Sequence, residues 1–572
     1  MPANLLTHIT SAQHKIHDGF LGKWQQSHRF RCAIDETIGS ILGTREAQEF
    51  VFIPKEPWAG NAEHGKWLVQ GGVFMLEGDQ LTLHGEEWEP FGVADRWIAH
   101  IHSFEWLRDL RALGGDLGRK GARAMLLSWI DHYGQWNGQT SQSITWRPDV
   151  MGARLANWIS CYEFYGESAS DELQERIFDS LHRQLRYLEK SVSMPTASSQ
   201  DLYALPALKG LIYAGLALED KETLVEKALE LLDRHIYKQI LSDGGHITRN
   251  PKMLCDAVQI LIDVRSTLKQ AGQSCPLFLQ NALDRGVQAL RSLRHGDRYF
   301  VTMNGAQEGS LEGDAERVQT ILFHAGSKAR ALRHLPHMGY ERLTCGKSLV
   351  VVDVGKAPRR PFDTSSHGAP LGFEWSFSRE RIFVSCGTHP TDKNWQDALR
   401  NTAAHNTLTI DDRNAVEFDR DGHVVRSPQK ITLMRDDKDR KSLLEASHDG
   451  YVPVNGMTHR RRLFLSEGGH DLRGEDNLHC ALGMARDHAI AVRFHLHPDV
   501  KVSLIKGGAE ALMRLKSGTG FRFSLSGGTL SLEDSIYLGS GTRPRKTKQL
   551  VISSPMTQET LQIKWAVRRE SQ

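Results

Sequence analysis

The feature of this sequence that most restricts its fold is a change of hydrophobic period near residue 345. From about residue 97 to 340, apolar residues recur at helical spacing, as in "RWIAHIHSFEWLRDLRAL" and "KETLVEKALELLDRHIYKQIL". Beyond residue 345, short stretches such as "SLVVVDVG" and "AIAVRFHLHP" are rich in Val, Phe, Thr and Leu and are separated by turn residues. A run of helices followed by a run of strands predicts separate α and β parts, because a parallel α/β sheet would need the two to alternate.

We therefore predict an α+β multidomain protein. Residues 1–96 form an entry segment packed on the helices, in which "VFIPKEPWAG" and "GGVFMLEGDQLTLHG" indicate a short hairpin before the helices begin; residues 97–340 form a helical domain; residues 345–572 form an antiparallel β domain. A chain of 572 residues is too long for one ordinary core, and an apolar fraction of 40% is enough for more than one. The number of strands and their regular turns favour a large β-sandwich.

The charge balance limits the choice of partner. The 71 Lys and Arg residues nearly equal the 69 Asp and Glu residues, which argues against a nucleic-acid-binding protein. An acidic polysaccharide remains compatible, because a basic cleft can exist in a chain of neutral total charge. The 7 cysteines are scattered, which indicates neither a disulfide framework nor a CxxC metal site.

The N-terminus, "MPANLLTHITSAQHKIHDGFLGKW", lacks a basic segment followed by an apolar stretch. The sequence also contains no uninterrupted apolar run of about 18 residues. We therefore expect a cytoplasmic protein without membrane insertion, with the periplasm as the alternative. The oligomeric state is left open.

Several motifs occur in a characteristic order: "WRPDVMGARLANWIS", "DGGHITRNP", "SSHGAPLGFEWS", "VSCG" and "HNTLTIDD". In this order they resemble the heparinase II/III-like polysaccharide lyases, over roughly residues 85 to 550. The resemblance implies an N-terminal (α/α) toroid followed by a C-terminal antiparallel β-sandwich domain, with the active site in the cleft between them. It also implies cleavage of a uronic-acid-containing glycan by β-elimination.

Such an elimination needs a base for the C5 proton, an acid for the leaving oxygen and a group that neutralises the carboxylate. The turn "SDGGHITRNP" offers His246 as base and Arg249 and Asn250 as carboxylate-binding groups. The family's catalytic Tyr has no match here, since its position falls near Met253, so Tyr299 becomes the substitute acid. In the alternative interpretation the turn is structural, because an Asn followed by a Pro often starts a helix.

In the β half, the resemblance implies a pair of histidines, of which the first is catalytic and the second binds a structural zinc ion. His367 matches the second His of that pair, whereas Ser365 occupies the position of the first. The implied zinc ligands are His367, His405 and Cys386, the last beside the position where the family has an Asp and this chain has Ser385. Zinc is therefore the candidate cofactor, and we expect His367 and His405 to approach each other. The alternative for His405 is a hydrogen-bonded core histidine.

Three further residues are candidates for substrate binding. Gln200 in "TASSQDLYAL" could donate to a substrate carboxylate, and Tyr203 and Trp146 could stack on sugar rings. A Trp at helical spacing is more often part of the core.

We predict a polysaccharide lyase-like enzyme acting on an acidic polysaccharide or oligosaccharide, with His246 and His367 in one site. On this hypothesis Arg249→Ala would reduce turnover much more than folding. One alternative is a non-catalytic glycan-binding or envelope-polysaccharide assembly protein on the same scaffold. Another is a glycoside hydrolase, which would need two facing carboxylates such as Asp243 and Glu374.

Overall fold

A computed structural model describes residues 48–84, 88–134, 143–193, 200–309, 314–481, 483 and 486–570. The chain divides into two compact units. Unit 1 contains Met1–Phe74, Thr82–Pro195 and Pro206–Leu229; unit 2 contains Met75–Leu81, Thr196–Leu205 and Glu230–Gln572.

Helices dominate the described chain up to residue 325, as the hydrophobic period predicts. The longest of them, Asp171–Ser193, begins with two acidic residues, which favour the positive end of the helix dipole. It buries Ile177, Phe178, Leu181 and Leu185, which recur on one side of the helix. The described helices of this part are α1 (Ala62–Gly71), α2 (Asp95–Ser103), α3 (Leu107–Leu113), α4 (Gly115–Tyr133), α5 (Pro148–Ser160), α6 (Tyr162–Tyr165), α7 (Asp171–Ser193), α8 (Gln200–Ala217), α9 (Glu222–Gln239), α10 (Pro251–Gln270), α11 (Leu277–Ser292) and α12 (Asp314–Ala325).

A hairpin is present in the entry segment, but both of its strands lie in "GGVFMLEGDQLTLHG", whereas "VFIPKEPWAG" forms no strand and α1 precedes the hairpin. Its strands are β1 (Val73–Leu76) and β2 (Asp79–Thr82). The two linking residues, Glu77 and Gly78, both have positive φ, at 51° and 80°. This backbone twist matches that of the flanking strands in two-residue hairpin loops.

From residue 334 onward the described chain is mainly β. Its strands are β3 (His334–Leu335), β4 (Tyr340–Cys345), β5 (Ser348–Asp353), β6 (Phe373–Phe377), β7 (Glu380–Phe383), β8 (Leu408–Ile410), β9 (Glu417–Phe418), β10 (Val424–Arg426), β11 (Ile431–Lys438), β12 (Lys441–Tyr451), β13 (Met457–Leu465), β14 (Asp471–Cys480), β15 (His488–His495), β16 (Lys501–Ile505), β17 (Glu510–Arg514), β18 (Gly520–Ser526), β19 (Thr529–Tyr537), β20 (Arg545–Met556) and β21 (Thr560–Arg569). Two short helices, α13 (Lys393–Leu399) and α14 (Val452–Asn455), interrupt them.

These strands form three main antiparallel sheets. Their strand orders are β3-β4-β5-β6-β7, β19-β20-β15-β8 and β11-β12-β13-β14-β21-β18-β17-β16. Side chains from all three sheets share one hydrophobic core, in which Phe373 stacks on Trp565 at 5.6 Å between ring centroids. In β13 and β14, buried and outward-facing residues alternate, which leaves the other face of the eight-stranded sheet toward solvent.

The α part followed by an antiparallel β part is thus confirmed. Closure of the helices into a toroid, packing of the sheets as a sandwich and the predicted domain boundaries stay predictions. Within the described ranges, none of the helices combines the length and the apolar character needed to cross a membrane.

Candidate functional site

The turn after α9 is held by its glycine and by Asp243. Gly244 has a φ of 83°, and a Cβ there would lie 2.0 Å from the carbonyl oxygen of Arg285, so only glycine fits. The carboxylate of Asp243 accepts hydrogen bonds from the N–H groups of His337 (2.7 Å) and Met338 (2.8 Å). Asp243, one carboxylate of the hydrolase hypothesis, therefore fastens the turn to the segment before β4.

His246 lies inside this turn with both ring nitrogens engaged. Its Nδ1 is 2.7 Å from Oγ1 of Thr248, and its Nε2 is 3.3 Å from Oε1 of Gln239. Burial lowers the pKa of His246 to about 4, against a smaller opposing effect of Asp256. The imidazole is therefore neutral near pH 7, but it would have to give up a hydrogen bond to act as a base.

Arg249 uses every donor of its guanidinium within the protein. Arginine carries five N–H donors, and the side chain makes five hydrogen bonds. The acceptors are the carbonyl oxygens of Met338, Gly339, Gly355 and Lys356 and the carboxylate of Asp353. Burial opposes the charge on Arg249, but Asp353 outweighs it and raises the arginine pKa. The group predicted to bind a substrate carboxylate is already paired with an internal one.

Asn250 caps α10, as the structural alternative predicts. Its Oδ1 accepts hydrogen bonds from the N–H groups of Lys252 (2.8 Å) and Met253 (3.3 Å). Pro251 follows at the first helical position, where its missing N–H is not needed.

We expect Asn250→Ala to lower the free energy of unfolding by about 1 kcal/mol, because two N–H groups at the start of α10 lose their acceptor. Urea unfolding followed by circular dichroism measures this change. Asn250→Ser keeps a capping oxygen and should lose clearly less. Equal losses for both variants would show that the side chain does more than cap the helix.

Asn304 links the Arg249 turn to the β part of unit 2. Its Nδ2 donates to Oδ2 of Asp353 at 3.0 Å and to the hydroxyl of Tyr340, and its Oδ1 accepts the N–H of His367 at 3.0 Å. The Tyr340 hydroxyl donates to the carbonyl oxygen of Arg249 at 2.9 Å. Asp353 and Tyr340 are absent from the sequence-based site. The only signal for Asp353 is an acidic residue that ends the apolar run "SLVVVD".

His367 and His405 approach each other, as predicted, with ring centroids 4.7 Å apart. Nε2 of His367 accepts the N–H of Gly305 at 2.9 Å. Nδ1 of His367 and both ring nitrogens of His405 are buried and form no hydrogen bond of normal geometry with the described residues. Burial and the neighbouring His405 keep the pKa of His367 well below its usual range. Burial and His495 lower the pKa of His405 to about 3.

The predicted zinc ligands do not fit a zinc ion in this arrangement. Sγ of Cys386 lies 3.4 Å from Nδ1 of His495, and burial raises the pKa of this thiol to about 12, which disfavours the thiolate that zinc requires. Among the residues that the structure describes, no three His, Cys, Asp or Glu side chains are grouped to hold a metal.

Glu374, the other carboxylate of the hydrolase hypothesis, is fully buried. It accepts hydrogen bonds from His295 (3.0 Å) and from the N–H and hydroxyl of Thr302 (2.9 and 2.7 Å). Burial acts against its charge, but the His295 hydrogen bond and the Arg381 charge lower its pKa. Glu374 thus belongs to an internal network and lacks the exposure of a catalytic carboxylate.

The remaining predicted residues lie in different places. Tyr299 is partly exposed, and its carbonyl oxygen accepts the N–H of His295 within the same loop. Tyr203 is partly buried in the first turn of α8, whereas the side chain of Gln200 lies outside the described residues. Trp146 belongs to unit 1 and is 4% exposed, packed against Tyr187 at 5.7 Å between ring centroids. Trp146 is thus a core residue, and its ring is not available as a sugar platform.

The comparisons with known proteins agree with this architecture. Residues 327–566 match the family model described as "Heparinase II/III-like, C-terminal". The FtsZ-localized protein C of Caulobacter vibrioides is 30% identical over 535 residues, which cover 90% of this chain and 89% of that protein. A crystal structure of heparinase III is similar with a TM-score of 0.69 and 13% identity, over 92% of this chain and 86% of the other. A mutant of the heparan sulfate lyase HepC from Pedobacter heparinus gives 0.63 and 15%, over 98% and 91%. The likeness to the two solved structures concerns the fold, and together with the family match and the Caulobacter relative it leads to one conclusion: this chain belongs to the heparinase II/III-like proteins.

Proposed function

We propose that this chain has a heparinase-like fold that serves in binding and does not cleave a glycan, and that the chain localises with FtsZ. One observation carries the first half of the proposal. All five donors of Arg249 are used inside the protein, so the turn that should hold a substrate carboxylate has no guanidinium donor left for it. Asn250 and His246 are likewise engaged, as a helix cap and as a buried hydrogen-bonded ring.

The second half rests on the relative from Caulobacter vibrioides. Its printed name records localisation with FtsZ, and it matches 90% of this chain, so that both the helical and the β parts fall within the match. A cytoplasmic location, expected from the sequence, is part of the proposal.

We expect a fluorescent fusion of the full chain to co-localise with FtsZ in its own organism, and the purified chain to sediment with FtsZ polymers. A panel of uronate polysaccharides should yield no product with the ultraviolet absorbance of a 4,5-unsaturated uronate. The matched control is a heparinase III assayed at the same protein concentration on heparan sulfate. A diffuse fusion that also fails to sediment with FtsZ would refute the localisation.

The second candidate is the polysaccharide lyase predicted from the sequence, cleaving an acidic glycan by β-elimination. Specific atoms favour it: the hydroxyls of Ser365 and Ser366 and Nδ1 of His367 are buried without a hydrogen-bond partner among the described residues. Such atoms usually have a partner, so a water or a ligand group is expected beside them. A neutral imidazole at His367 would be the base in this reaction.

Turnover separates the two candidates. If the chain is a lyase, the unsaturated product accumulates, and His367→Gln abolishes it while the melting temperature stays close to that of the parent. If the chain only binds, no product forms with any member of the panel.

A further inference from the structure

The outward face of the eight-stranded sheet contains a groove, and none of the candidate site residues lines it. It has a volume of about 540 Å³. The residues that determine its chemistry are Arg462, Phe464, Arg473, Lys564, Ala566 and Ser524.

The strand register explains the shape of this groove. Phe464 of β13 is paired with Arg473 of β14, Arg473 with Ala566 of β21, and Ala566 with Ser524 of β18. Directly paired residues of adjacent strands point to the same face. Two large side chains therefore stand beside two small ones, and the small ones form the floor of a depression.

The next row across the same strands supplies charge. Arg462 of β13 is paired with Glu475 of β14, Glu475 with Lys564 of β21, and Lys564 with Ser526 of β18. Each row thus ends in a serine on β18, with Ser526 beside Lys564 and Ser524 beside Ala566, and both serines line the groove.

The cations around the groove outnumber the carboxylates. Glu445 is shared by Arg460 and Arg462, Asp471 is shared by Arg473 and Arg568, and Glu475 pairs with Lys564 at 3.8 Å. The carboxylates also lie deeper than the cations. The exposed side-chain fractions of the carboxylates are 20% for Glu445, 16% for Asp471 and 18% for Glu475. Those of the cations are 45% for Arg460, 44% for Arg462, 51% for Arg473, 56% for Lys564 and 60% for Arg568.

This arrangement presents positive charge to the solvent. Ion pairs between exposed side chains contribute little free energy, so an anionic ligand can share or replace the internal carboxylates at small cost. Arginine is suited to this, because its planar guanidinium can hold a carboxylate through two hydrogen bonds.

We propose that this groove binds an acidic oligosaccharide, with its carboxylates on Arg462, Arg473 and Lys564, its hydroxyls on the serines of β18 and one sugar face against Phe464. The volume is within the range of about 300 to 1,000 Å³ common for small-ligand sites. The inference goes beyond the proposed function, since it requires neither FtsZ nor the residues around His367.

An acidic peptide fits the groove less well. A peptide that adds to a sheet needs a free strand edge, whereas β13, β14, β21 and β18 are paired on both sides. A docking helix needs several apolar anchors along its length, whereas the apolar side chains Leu443, Phe464 and Ala566 are interrupted by Arg473 and flanked by Arg462 and Lys564.

The test is isothermal titration of the full chain with a linear tetragalacturonate. We expect binding that weakens as salt is added, little binding of the neutral maltotetraose, and an affinity lower by about tenfold or more in the double variant R462A/K564A. The matched control is K546A/K548A, which removes the same charge from two exposed residues of β20 in the four-stranded sheet and should bind like the parent.

Four results would overturn the proposal. They are absence of binding by the parent chain, equal weakening by the two double variants, unchanged affinity in R462A/K564A, and tighter binding of an octaglutamate peptide than of the tetragalacturonate. Circular dichroism of both double variants checks that each is folded before titration. We expect R462A/K564A to fold, because the side chains of Arg462 and Lys564 are 44% and 56% exposed.

Discussion

Replacing Arg249 with Ala is expected to lower the free energy of unfolding by about 3 to 5 kcal/mol, the usual result of removing one partner from a buried ion pair. The variant would leave the Asp353 carboxylate, which is only 4% exposed in the folded protein, without its guanidinium. It would also leave four backbone carbonyls without their donor. Urea unfolding, with the m-value checked for two-state behaviour, measures the effect.

Arg298→Ala is the matched control. Arg298 has a left-handed backbone like Arg249, with φ values of 76° and 61°, but its side chain is exposed. The control therefore contains the same change of residue type in the same backbone conformation, and its stability should stay within about 0.5 kcal/mol of the parent. A stable Arg249→Ala protein that has lost lyase turnover would instead support the carboxylate-binding role predicted from the sequence.

Lowering the pH from about 7.5 to about 5 is expected to unfold the protein, or to reduce its melting temperature sharply. Several buried histidines have pKa values below their usual range, first of all because burial disfavours the charged ring; they include His246, His367, His405, His448 and His495. Below about pH 6.5 the unfolded chain binds protons that the folded chain refuses, so stability falls as pH falls.

The magnitude follows from proton linkage. Each such histidine lowers the free energy of unfolding by up to about 1.4 kcal/mol for every pH unit between about pH 6.5 and its folded pKa. That folded pKa is about 4 for His246 and His495 and about 3 for His405. These three together reach on the order of 4 kcal/mol per pH unit, which is a large part of the stability of an ordinary domain.

His405→Asn should make stability depend less steeply on pH, because one buried histidine is removed. The variant itself should be less stable than the parent. Replacing the exposed His337 with Gln should leave the steepness unchanged. Differential scanning fluorimetry at closely spaced pH values provides both comparisons. A melting temperature that is flat between about pH 7 and pH 5 would contradict this, because it would show that the buried rings take up protons as readily in the folded chain as in the unfolded chain.

The sequence by itself determined the succession of helices and antiparallel strands and a hairpin in the entry segment, and it offered the cap at Asn250 as the alternative to a carboxylate-binding role. Each of these depends on residues a few positions apart: a hydrophobic period, a Gly in a turn, or an Asn before a Pro. The nearness of His367 and His405 also followed from the sequence, through the order of motifs that the chain shares with its family.

Only the tertiary structure decided what the polar side chains of the turn do. Arg249 and Asp353 are 104 positions apart, and Asn304 is 49 positions from the same carboxylate. No local pattern records such a pairing, because the partner of a buried charge is chosen by the packing of distant segments and by the cost of leaving that charge unpaired. The same residue types would bind a substrate if they were exposed at a cleft. Here burial and an internal carboxylate make Arg249 part of the fold.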